Sequence, residues 1–181
     1  MLTAGLSALV LAVYAYADIG SGEPAAAAPL DAQVRDCRSR AEGSAPIQMK
    51  VKSTDVRIGP LVLGNVRSAG GTGQTQHADW PFGRKTPVLL PARARVVLEI
   101  APEAVTRAAF QHRREWVTAI RFTACFERVR AFAYRGTVGP TTFFPFAIGL
   151  RQRTDCIPMN LWIEGRSAPV RRVVPLGRPR C

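Results

Sequence analysis

Beyond residue 35 the chain is a succession of short apolar runs, each broken by Gly, Pro or a charged residue, with no sustained helical stripe. Within the runs, apolar and polar positions alternate. Ile47, Met49 and Val51 face one way against Gln48, Lys50 and Lys52. Val96, Leu98 and Ile100 oppose Val97 and Glu99, and Ile120, Phe122 and Ala124 oppose Arg121 and Thr123. Met159, Leu161 and Ile163 oppose Asn160, Trp162 and Glu164. A period of two is that of a half-buried strand. Further β-rich runs occupy 56–66, interrupted at Gly59-Pro60, then 142–150 and 170–176. About seven or eight short strands at close spacing predict an all-β domain, an antiparallel β-sandwich of immunoglobulin-like or related type. Residues 102–107 begin with Pro102 and are the one helical candidate. Residues 135–140 read as a hairpin connection between Phe132-Ala133-Tyr134 and the strand at Phe143, and 68–83 as a long polar loop of functional or mobile character.

The N-terminus differs. Residues 2–17, LTAGLSALVLAVYAYA, are uncharged and mostly apolar, which predicts a hydrophobic helix. Two fates fit residues 1–17. Ala15-Tyr16-Ala17 before Asp18 is a small-x-small ending, as at a signal-peptide cleavage site. Retained, the segment is a short membrane anchor, since a span needs about 20 residues. No Lys or Arg precedes the run, so the usual charged flank is missing from this sequence. Residues 18–35 turn to Gly, Pro, Glu and Ala and read as a flexible linker, leaving 36–181 as the domain.

Cys37, Cys125, Cys156 and Cys181 in an exported chain predict two disulfides, with no C-x-x-C pair to suggest redox or zinc-finger spacing. Of three possible pairings, Cys125–Cys156 and Cys37–Cys181 are favoured: one joins a strand's end to the next strand's start, the other the two ends of the domain.

Net charge is +12, from 25 basic and 13 acidic residues, and 22 of the basic residues are Arg. Such a charge attracts anionic envelope polymers, lipid headgroups or nucleic acid, or only keeps the surface solvated. The arginines are dispersed, with no run longer than the pairs 113–114 and 171–172. Export makes nucleic acid the least suitable partner.

Catalytic signatures are sparse. G-x-S-x-G and H-E-x-x-H are absent, and Gly70-Gly71-Thr72-Gly73 lacks the lysine of a phosphate loop. His77 and His112 read as two unconnected surface histidines, and Met159 in Cys156-Ile157-Pro158-Met159 as a packing residue rather than a copper ligand. Asp79 with Glu99 or Glu103 is a conceivable acid pair that nothing in the sequence brings together. The candidate binding residues are Trp80 and His77 in the long loop, Trp162 on the outward side of its strand near Phe143, Phe144 and Phe146, and the basic pair Arg171 and Arg172. Burial in a second sheet interface is the competing reading for Trp162, since aromatics usually pack in cores. No catalytic residue, metal or cofactor is expected. The function expected is a non-catalytic, extracytoplasmic, envelope-associated binding domain, secreted or held at the membrane by the N-terminal segment. Its partners would be anionic envelope polymers, lipid headgroups or an envelope protein. The alternatives are an exported hydrolase with its site near 68–83 and a non-specific polyanion binder.

The segments Val117–Cys125, Gly139–Phe144, Asp155-Cys156 and Val173–Cys181, in the last third of the chain, resemble small uncharacterised exported or membrane proteins of high-GC actinobacteria. The resemblance implies an export address and paired cysteines, and carries no activity and no site residues.

Overall fold

The computed structural model describes residues 27–38, 51–68, 72–126 and 140–181. The leader, most of the linker, the alternating stretch 47–50 and the hairpin connection around 132–139 lie outside them. In the described residues the fold is all-β and mostly antiparallel, with one 3-10 turn at Pro102–Ala104 where the helical candidate stood.

Strands are numbered along the chain. The first sheet has the order β1 (Gln33–Arg35), β10 (Ala119–Thr123), β7 (Arg95–Ile100), β13 (Asp155–Ile163), β14 (Val170–Leu176). Its β1–β10 pair is parallel and the rest antiparallel. The second sheet runs β11 (Thr141–Phe144), β6 (Val88–Pro91), β3 (Leu61–Leu63), β2 (Val56–Ile58). The third runs β4 (Thr72–Gln74), β5 (Phe82–Lys85), β12 (Ala147–Leu150), β8 (Ala108–His112), β9 (Glu115–Val117). Fourteen short strands in three sheets among the described residues replace the seven or eight strands expected. The excess arises because short interruptions end strands that the composition joins. Pro145 and Phe146 divide the run 142–150, sending β11 into the second sheet and β12 into the third. The expected loop 68–83 contains β4 and β5, paired Gly73 to Gly83. Gly59-Pro60 is the two-residue turn of the β2–β3 hairpin, and Gly59 takes φ +53, a conformation open to glycine. The linker ends earlier than residue 35, because 33–35 already pair with β10.

The alternation reads correctly where it was clearest. Val96, Leu98, Ile100, Ile120, Phe122, Met159 and Leu161 all point into one core shared by the three sheets. The sheets meet at phenylalanines. Phe122 comes from the first sheet, Phe144 from the second and Phe110 from the third, while Phe146 sits on the crossover between the last two. Ring centroids lie 5.1 Å apart for Phe110–Phe146, 5.7 Å for Phe122–Phe146 and 5.2 Å for Phe122–Phe144, in tilted or edge-to-face geometry. Such contacts add to the area that each ring buries. Arg35 of β1 lies over the Phe146 ring at 5.4 Å and donates to the carbonyls of Pro145 and Gln111, fastening the edge of the first sheet to the crossover.

The disulfides are Cys37–Cys125 and Cys156–Cys181, correcting the favoured pairing. Strand order gives the reason. β10 and β13 both run antiparallel to β7, so they are parallel to each other, and Cys125 just past the end of β10 lies at the opposite end of the sheet from Cys156 near the start of β13. Cys37 instead follows β1, the parallel neighbour of β10, in a register that matches Arg35 with Phe122. Cys181 returns to Cys156 past Gly177, whose φ of +73 turns the chain after β14. The separations of 88 and 25 residues correspond to about 4.6 and about 3.5 kcal/mol of loop-closure entropy removed from the unfolded chain. Two disulfides are what an oxidising, extracytoplasmic compartment maintains.

If Phe146 joins the three sheets, Phe146→Ala costs about 3–5 kcal/mol, the range for a fully packed aromatic. Urea unfolding of the oxidised protein checks this; a loss below about 1 kcal/mol, typical of a surface change, contradicts the role given to Phe146.

Candidate functional site

Residues opposite one another in an antiparallel pair share a face of the sheet. On the inner face of the third sheet Thr72, Arg84, Ile148 and Phe110 follow one another across β4, β5, β12 and β8. On the outer face, Gly73, Gly83, Gly149 and Ala109 do the same. Lys85 faces Ala147 beside that row, and Gln111 faces Trp116. The outer face is therefore a shallow trough: Gly73 and Gly83 leave its floor low, Gly149 and Ala109 are buried, and long side chains stand at its sides.

One wall is the turn between β4 and β5. Thr75 closes it by donating its backbone N–H to the Pro81 carbonyl, 2.9 Å, and its hydroxyl to the Trp80 carbonyl. His77 accepts at its carbonyl from the Trp80 N–H, 3.2 Å. Arg151 holds the tip from outside, pairing with Asp79 at 3.5 Å and lying over the Trp80 ring at 5.4 Å. The turn delivers His77 against the Trp116 indole with centroids 5.6 Å apart, edge to face, and Trp80 to 6.4 Å from the same indole. Trp116 can lie across the sheet only because β12 has a glycine there: a Cβ on Gly149 would stand 2.5 Å from Trp116 Cζ3 and 2.8 Å from Trp80 Cβ.

The other wall is basic. Arg113-Arg114 form the two-residue turn between β8 and β9, with His112 facing Glu115. Arg113 has φ +56, a left-handed conformation that costs a residue with a side chain about 1–2 kcal/mol and that turns ordinarily give to Gly or Asn. With Lys85, these arginines border a groove of about 660 Å³ whose lining also includes Gln74, Gln76, Gln111, His77 and Trp116. A second concavity of about 510 Å³ continues from it past Lys85, Gln111 and Arg113 toward Pro145 and Phe146.

The trough rests on a rigid base. Arg84, fully buried beneath it, donates to Thr72 Oγ1 at 2.9 Å and to the Asn65 carbonyl, while Thr86 donates to the Gly64 carbonyl. The bonds to Asn65 and Gly64 tie β5 and the residue after it to the turn that follows β3, and the bond to Thr72 ties β5 to β4. Burial pushes the Arg84 guanidinium below its ordinary pKa by penalising the charged form.

The sequence-predicted residues divide between two places. His77 and Trp80 both lie in the turn of the β4–β5 hairpin, each against Trp116. Trp162, Arg171 and Arg172 belong to the first sheet. Trp162 is buried on its outer side among Val97, Ala119, Ala32 and Ala28, and its Nε1 donates to Glu99 Oε2 at 2.8 Å. Asn160 donates to the same oxygen at 3.2 Å. Trp162 is thus a packing residue beneath the chain's own segment 27–32, and Phe144 and Phe146 are core rather than surface. Arg171 is paired with Glu103, and Arg172 is exposed on β14. A larger concavity of about 700 Å³ does lie on this sheet, between that segment and Arg95, Arg121, Arg166 and the edge of Trp162, but Arg95 is paired with Glu164 at 3.1 Å. His112, expected on the surface, is buried, because its strand turns it inward with Phe110. The carboxylates of the conceivable acid pair separate: Asp79 pairs with Arg151, Glu99 serves Trp162, and Glu103 pairs with Arg171. Sequence reasoning missed Lys85, Gln111, Arg113, Arg114 and Trp116. The available signal was the dipeptide Arg113-Arg114 set between the alternating Phe110-Gln111-His112 and Glu115-Trp116-Val117, which reads as a two-residue hairpin.

Among the described residues no three His, Cys, Asp or Glu side chains gather as a metal-ligating set, and no helix is long and apolar enough to cross a membrane. Comparison with protein-family models, curated proteins and solved structures finds no match.

The seating of Trp116 on Gly149 predicts that Gly149→Ala displaces the indole, shifts tryptophan emission and lowers stability by about 1–3 kcal/mol, the usual cost of overpacking. Gly73→Ala is the control, since an added Cβ there meets nothing within 4 Å; emission should stay as in the wild type. Equal emission from all three proteins contradicts the packing described.

Proposed function

We propose that this chain is an extracytoplasmic, non-catalytic binding domain of the cell envelope, secreted or held at the membrane by its N-terminal segment, and that it holds an anionic polymer along the trough of the third sheet. The observation that carries this reading is the state of the cations. Arg95, Arg107, Arg151 and Arg171 each have a carboxylate partner. Lys85, Arg113 and Arg114 converge on one groove and have none among the described residues. Glu115, in the same hairpin, does not line the groove. Three like charges beside one concavity raise each other's energy, and an anion there relieves it. The strained backbone of Arg113 supports the same reading: a guanidinium is kept where Asn or Gly would fold at lower cost, as happens at binding sites. The two disulfides support the extracytoplasmic address.

Retention of the full-length protein on purified cell envelope should be strong at low salt and fall as ionic strength rises. The triple variant Lys85→Gln, Arg113→Asn, Arg114→Gln should bind about tenfold more weakly, since three exposed pairs at about 0.2–1 kcal/mol each sum to roughly that factor. Its unfolding midpoint should be no lower than that of the wild type, because Asn suits the turn. Failure of the wild type to bind at low salt, or salt-sensitive binding that the triple variant retains in full, overturns the reading.

A further inference from the structure

The uncharged part of the groove is informative about what the polymer is made of. A polymer of phosphate groups alone presents only hydrogen-bond acceptors, and the side chains suited to it are donors such as Lys and Arg. Gln74, Gln76 and Gln111 are exposed on this groove, and each amide carries an acceptor as well as two donors. Such side chains match groups that also both donate and accept, which hydroxyls do. The half-buried Trp116 indole, braced by His77 and Trp80, adds a planar apolar surface to the same wall. An aromatic face carries negative charge density and suits the weakly positive C–H face of a ring compound. The floor beneath is Gly83 and Ala147, where no long side chain keeps a ligand from the backbone. Amides for hydroxyls, an indole for a ring face, and Lys85, Arg113 and Arg114 for acidic substituents occur together on one groove of about 660 Å³.

We infer that the polymer is an acidic polysaccharide, with one sugar ring against Trp116 and its carboxylate or phosphate substituents on the Arg113-Arg114 hairpin and Lys85. This deepens the proposed function and rests on it. Sugar hydroxyls engage the glutamines, and the acidic groups set affinity and salt dependence.

The test measures binding of the full-length protein to three probes: an oligogalacturonate, the corresponding uncharged galactose oligomer, and inorganic polyphosphate of matched charge. The wild type should bind the oligogalacturonate most tightly. Trp116→Ala should weaken that binding by about fivefold or more, the threshold at which truncating an interface aromatic marks it as an anchor, while polyphosphate binding stays unchanged. Unchanged polyphosphate binding also shows that the variant is folded, and Trp116→Phe should keep most of the affinity as an independent check. Equal affinity of the wild type for oligogalacturonate and polyphosphate, or a Trp116→Ala variant that binds oligogalacturonate like the wild type, overturns the saccharide inference and leaves the anionic-polymer reading standing. Failure of both charged probes to bind overturns that reading as well. Binding of the uncharged oligomer as tight as that of the charged one also overturns the inference, because the cations would then contribute nothing.

Discussion

Phe146 holds the position on which the rest of the structure depends. Its ring stands between Phe122 of the first sheet and Phe110 of the third, with Phe144 of the second completing the group through Phe122. The three sheets share one interior. The peptide that carries Phe146 is also the crossover between β11 and β12, and Arg35 clasps it through Pro145. Packing at this point therefore fixes where β12 runs. The course of β12 in turn fixes Gly149, over which Trp116 lies. A chain of contacts thus links the centre of the core to the wall of the surface groove.

Local features of this fold were legible in the sequence and long-range ones were not. Alternation identified the inward residues of β7, β10 and β13 because a period of two reports a face directly. Gly59-Pro60 read as a break in the run 56–66 because its conformational demand is local, and the break is the turn of the β2–β3 hairpin. Which strands become neighbours is decided by packing between residues far apart in the chain, and both larger errors came from there. The disulfide pairing assumed that β10 and β13 meet end to start, whereas β7 between them makes them parallel. The aromatic run 142–150 looked like one strand, whereas its two halves serve different sheets. Trp162, opposite Leu161 and Ile163, left two readings open, a second packing interface or an exposed face. The segment 27–32, assigned to a flexible linker, covers it, and Glu99 takes its N–H, so it packs.

The candidate site was half legible. His77 and Trp80 stood out as an imidazole and an aromatic in a polar segment, and the hairpin brings His77 to the groove and Trp80 against Trp116. Their companions come from three other strands and one turn, so no local pattern joined them. The two concavities differ in electrostatics as well as in shape. The larger one, on the first sheet, is lined by Glu164 as well as by Arg95, Arg121 and Arg166; Arg95 pairs with Glu164, and Trp162 is pinned by Glu99. The groove on the third sheet has no carboxylate in its lining, its Lys85, Arg113 and Arg114 have no carboxylate partner among the described residues, and Arg113 is held in a left-handed conformation.

The three tryptophans offer a direct measurement, because Trp80 and Trp116 report the third sheet and Trp162 the first. In an NMR titration of the full-length protein with an acidic polysaccharide, the indole N–H signals of Trp116 and Trp80 should move with increasing ligand. That of Trp162, bonded to Glu99 on the first sheet, should stay in place. Movement of the Trp162 signal with Trp116 and Trp80 unchanged would contradict the assignment of the binding face.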